Sequence, residues 1–143
     1  MRAHAYEGGP RPAKQIATVF ARPFESTGMI THICKVDGKS LVRLGLASSC
    51  PSVVYLLSGT HQLTLSYRSG RGTASPTIPI RVEAGKTYQV IGTRVAGEGG
   101  RDRVATSINT MPQGFALTYK DVFPSYYAGT NRPNARINPE DEK

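Results

Sequence analysis

The side chains best suited to nucleophilic or metal chemistry are three histidines and two cysteines. His4 lies in a Gly- and Pro-rich lead, His32 shares a run with Cys34, and His61 follows the turn Ser58-Gly59-Thr60. A catalytic thiol at Cys34 needs a base within hydrogen-bond reach. His32 points the same way on an extended chain but stands ~7 Å off, from the rise per residue. His61, in phase with Leu63 and Leu65, reads as a polar cap or a turn hydrogen bond. There is no Cys-x-x-Cys spacing and no His cluster, so the pattern offers no zinc site. Glu83, Glu98, Asp102 and Asp121 do not form the spacing of a carboxylate pair. The glycines around Arg71 and from Gly97 to Gly100 lack the strand-to-helix setting that makes a phosphate loop. The residues therefore predict no catalytic centre, no metal and no cofactor.

Two groups of residues suit partner binding instead. Arg68 and Arg71 sit at one turn, and Arg94, Arg101 and Arg103 flank another. If those loops meet at one end of the fold, they make a basic tip for an anionic partner; the plainer reading is solvated loop charge. Phe123, Tyr126 and Tyr127 precede a Pro-bearing tail. Exposed aromatics there can dock on a partner subunit or pack back on their own domain.

A chain of 143 residues forms one domain with a real core. Its net charge of +8 admits nucleic acid, anionic lipid or anionic glycan as partners. The Lys and Arg residues are dispersed, however, with no run that would track a phosphate backbone. No segment approaches the ~20 apolar residues of a membrane span, and Met1-Arg2-Ala3-His4 does not open a signal peptide. Either the protein is cytosolic or a targeting segment has been removed. In an oxidising compartment Cys34 and Cys50 would pair, contributing about 3 kcal/mol by closing their loop. The alternative is two buried free thiols.

The elements that hold these residues read as strands. Val53 to Leu57 is a β-rich apolar run. After the Gly59 turn, Leu63, Leu65 and Tyr67 alternate with Gln62, Thr64 and Ser66, which gives one dry face and one wet face. Further strands are predicted at Gln15–Ala21, Met29–Val36 (with Ile30, His32, Cys34 and Val36 on one face), Lys39–Leu44, Thr77–Glu83 and Lys86–Val95, with weaker ones at Val104–Asn109 and Phe115–Val122. Asp37-Gly38 is a type I′ hairpin signal. It sets Leu41 opposite Cys34, so a bridge to Cys50 requires the Gly45–Ser49 segment to fold back over the hairpin. Pro79 marks an edge strand or a bulge.

Residues 1–13 form an irregular lead, 14–123 the domain and 124–143 an extended or disordered tail. The pattern predicts an all-β fold: a single antiparallel β-sandwich, immunoglobulin-like or transthyretin-like, of seven or eight strands.

The lead Tyr6-Glu7-Gly8-Gly9-Pro10-Arg11-Pro12-Ala13-Lys14-Gln15-Ile16-Ala17 resembles the start of small proteobacterial envelope lipoproteins. The Leu57-Ser58-Gly59-Thr60-His61 turn and the Ala84-Gly85-Lys86-Thr87-Tyr88 stretch are similar to β-sandwich modules named for a Pro-Glu-Gly-Ala motif. These stretches are short, 22 residues in all, and most of them describe turns. There is no lipobox and no N-terminal cysteine, so a lipid anchor would belong to a precursor. The resemblance implies a periplasmic or outer-membrane binding module without catalysis, acting on a protein partner and not on a small molecule. The alternative is a polyanion-binding module that uses the arginine loops.

Overall fold

The computed structural model describes residues 2–6, 9–21, 30–41, 50–69, 72–95, 97, 99, 103–122, 136–137 and 139. They form ten strands: β1 (Arg2–His4), β2 (Ala17–Ala21), β3 (Ile30–Val36), β4 (Lys39–Ser40), β5 (Val53–Leu56), β6 (Gly59–Ser69), β7 (Gly72–Ala74), β8 (Thr77–Val82), β9 (Thr87–Val95) and β10 (Arg103–Thr110). A 3₁₀ turn at Ala13–Gln15 and one short helix, α1 (Tyr119–Val122), complete the set.

The strands make two sheets. The first has the order β1-β5-β2-β9-β10; the second has the order β4-β3-β6-β7, with β8 also paired to β6. The all-β expectation holds, but the strand number and the purely antiparallel pairing do not. β1 runs parallel to β5, and β2 runs parallel to β9. Parallel neighbours need a long crossover, and between β2 and β9 the chain builds the whole second sheet. Period-two alternation says nothing about such an order.

Both sheets contribute to one core. Val19, Val54, Leu56 and Val90 of the first sheet meet Ile33, Leu63, Leu65, Tyr67 and Ile80 of the second. The alternation read in β6 is therefore the seam of the molecule. A second cluster lies on the outer face of the first sheet, where Ile16, Phe20, Val53 and Tyr55 are covered by Leu117, Val122 and Ile137. Phe20 stacks on Phe115 with ring centroids 6.1 Å apart. Covered on both faces, β2 and β5 are buried at every position. That is why Val53–Leu56 reads as an unbroken apolar run and not as an alternating one. Each large apolar side chain fully buried there contributes roughly 1.5–3 kcal/mol.

Four local expectations are corrected. The lead is not irregular throughout, because Arg2–His4 pairs with β5. In β3 the core face carries Thr31, Ile33 and Val36, not Ile30, His32 and Cys34. The register shifts between Ile33 and Lys35, and such a bulge resets the alternation. Phe115–Val122 is not a strand. Asp121 accepts from both the backbone N–H (2.8 Å) and the hydroxyl (3.0 Å) of Thr118, a Thr-x-x-Asp capping pattern that starts α1. Finally, β6 begins at Gly59, inside the expected turn, where φ of +132° suits only glycine. Residues 42–44 of the expected third strand lie outside the described residues. Of the tail, Ile137 packs into the outer cluster and donates its N–H to the Leu117 carbonyl at 2.7 Å.

Candidate functional site

The β3–β4 turn gathers the most connected polar side chains. Asp37 (φ +52°) and Gly38 (φ +79°) form the expected positive-φ hairpin. Leu41 donates its N–H to the Cys34 carbonyl at 2.9 Å, as the hairpin geometry requires. The Asp37 carboxylate accepts from His61 Nδ1 at 2.7 Å and from the Gln62 N–H at 2.9 Å. The His61 bond, and next the Gln62 N–H, hold the Asp37 carboxyl below the usual carboxylate range. His61 Nε2 sits 2.8 Å from the Leu57 carbonyl. An Asp–His contact of this length can serve a relay, but here the outer ring nitrogen meets a backbone acceptor and not a nucleophile. The arrangement ties the β3–β4 turn to the β5–β6 connection, the turn role expected for His61.

Beside this turn lies a cavity of about 300 Å³, with His4, Ala5 and Tyr6 on one side and Val36, Asp37 and Leu41 on the other. His4 rests on Tyr55 (centroids 4.9 Å) and shares a hydrogen bond with the Pro139 carbonyl at 2.9 Å. It is a packing residue, not part of a loose lead. A second concavity of about 520 Å³ opens between Lys14, Lys86, Met111 and Phe115. Glu83 already engages Lys86 there at 2.7 Å. Among the described residues no three His, Cys, Asp or Glu side chains gather at metal-binding distance.

Cys34 and Cys50 form a disulfide with Cα atoms 4.8 Å apart. It joins the β3 bulge to the segment that leads into β5. Just beyond it, the Ile33 N–H donates to the Pro51 carbonyl at 3.0 Å. His32, beside the bridge and half-buried, has its pKa lowered chiefly by burial.

The three described arginines of the expected basic tip share one end of the molecule. The Tyr67 hydroxyl bonds Thr106 at 2.6 Å, and its ring lies against Gly92. The ends of β6 and β9 and the start of β10 therefore come together. They do not converge on one point. Arg94 pairs with Val104, on the core-facing row, whereas Arg103 pairs with Val95, on the opposite face. Arg68 follows inward-facing Tyr67 and so emerges on the outer face of the second sheet. Arg71, Arg101, Phe123, Tyr126 and Tyr127 lie outside the described residues.

The sequence reading missed Asp37 as a side-chain anchor and Tyr6 as a cavity wall. The first had a signal, since an Asp in a hairpin turn has backbone donors within reach. The second had none. The chain matches no family model, no curated protein and no solved structure. No helix among the described residues is long and apolar enough to cross a membrane.

Proposed function

We propose that this chain is an exported, non-catalytic β-sandwich binding module, an accessory subunit of a bacterial cell-envelope assembly that works through protein–protein contacts. The observation that carries this reading is the Cys34–Cys50 disulfide. Such bridges persist in oxidising compartments and are rare in the cytosol. The turn around Asp37 supports the reading too, since its His is spent on holding backbone. Fractionation of the native cells tests it. Recovery in the periplasmic or outer-membrane fraction is the expected result, and recovery in the cytosol ends the proposal.

A second reading has its own observation. Arg68, Arg94 and Arg103 share one end of the molecule, where β6 and β9 finish and β10 begins. A nucleic acid or anionic glycan laid across that end would release counterions. Its affinity would fall steeply with salt, and absence of binding at low salt removes this reading.

A further inference from the structure

The open edge of a sheet exposes a row of unpaired backbone donors and acceptors, and proteins usually blunt such edges with short strands, Pro, Lys or bulges. Three edges here are short: β1 has three residues, β4 two and β7 three. β8 carries Pro79 and Arg81. β10 has none of these devices. It runs eight residues in unbroken register with β9, without Pro or Lys, and its one charge is at its first residue, Arg103. Among the described residues no strand lies on its far side.

Its backbone orientation follows from one bond. The Met111 N–H donates to the Thr87 carbonyl at 2.8 Å. Antiparallel ladders alternate, so Ala105, Ser107 and Asn109 turn their backbone groups to β9. Val104, Thr106 and Ile108 turn theirs outward, while their side chains face the core side, half-buried.

We propose that β10 is a self-association edge on which a second copy of this chain pairs antiparallel, about a two-fold axis through Thr106. That axis sets Thr106 opposite its own mate, Val104 opposite Ile108, Ala105 opposite Ser107 and Arg103 opposite Asn109. The outward backbone groups of Val104, Thr106 and Ile108 are all satisfied in this register. The half-buried Val104 and Ile108 meet across the join on the core side, the kind of cross-strand pair that stabilises sheets. The two Arg103 residues finish about 20 Å apart, from six residues of strand rise. This symmetry of Val104 and Ile108 about Thr106 suits a second copy better than an unrelated strand. The inference does not depend on the envelope role.

The test is sedimentation equilibrium of the full chain across a concentration series, with thermal melts to check folding. The wild type is expected to dimerise, and to do so more tightly as salt screens two chains of charge +8. Ala105→Lys with Ser107→Lys, both at exposed positions, sets like charges opposite each other twice and should weaken the dimer about tenfold. Ala105→Lys with Ser107→Glu sets opposite charges in the same places and should restore or tighten it. Should the first variant fail to fold, the second still decides, because its gain over wild type must shrink as salt rises. A wild type that stays monomeric at millimolar concentration overturns the proposal, as does a dimer that neither variant changes.

Discussion

Tyr67 is the side chain on which the two sheets turn. It leaves β6, lays its ring on Gly92 of β9 and bonds Thr106 of β10. Burial raises its phenol pKa above the ordinary value. A Cβ added at Gly92 would stand 2.7 Å from Tyr67 Cδ1, closer than real contacts allow. Gly92→Ala is therefore expected to destabilise the fold by about 1–3 kcal/mol, through overpacking. Tyr67→Phe removes only the hydroxyl bond and should cost about 1 kcal/mol. Urea unfolding of the two variants orders them. Asp37 supplies a pH test with a definite sign. Its folded pKa lies below the unfolded one, so it adds stability above the unfolded value, about 4, and loses it as pH falls through the folded value. In unfolding curves measured across that acid range, Asp37→Asn should show a flatter loss of stability than wild type. An equally steep acid limb in the variant would mean that other carboxylates carry it.

At the scale of elements, the disulfide and the bulge act together. The bridge spans a sequence separation of 16 and fixes the entry to β5 against β3. Replacing both cysteines by serine should lower stability by about 3 kcal/mol on the chain-entropy account, with β6, β8, β9 and β10 still formed. Loss of the whole fold would show that the core does not hold without the bridge. The strands themselves were largely legible, because β6, β8 and β9 bury one face and their alternation survives in the sequence. The hairpin at Asp37 was legible too, since only a few residues tolerate its two positive φ values. What was hidden is what depends on distant partners. The β3 bulge moves the core face from Cys34 to Ile33 with no local signal. The parallel pairings depend on where the chain goes between strands. The Phe115–Val122 segment alternates like a strand, yet the Thr118–Asp121 cap and the outer face of the first sheet make it irregular chain and a helical turn. The arginines were found, but alternation sends Arg94 and Arg103 to opposite faces, which their spacing in sequence could not show.

Across the whole molecule, the two ends of the sheets present different described side chains. Asp37 and Glu83, each beside a basic partner (His61 and Lys86), lie at the end where β6 and β9 begin. Arg68, Arg94 and Arg103 lie at the other. The open β10 edge runs from the arginine end towards the carboxylate end. A polyanion partner and a second copy thus respond oppositely to salt, binding of the first weakening and pairing of the second strengthening. The proposed place of the chain in an oxidising compartment is the centre of the account, and thiol trapping in the native cells tests it most directly. Cells are quenched with an alkylating agent before lysis, and the chain is digested without reductant and weighed by mass spectrometry. The account predicts a cross-linked peptide holding Cys34 and Cys50, with neither sulfur alkylated. Both cysteines recovered in alkylated form, from a cytosolic fraction, would contradict it.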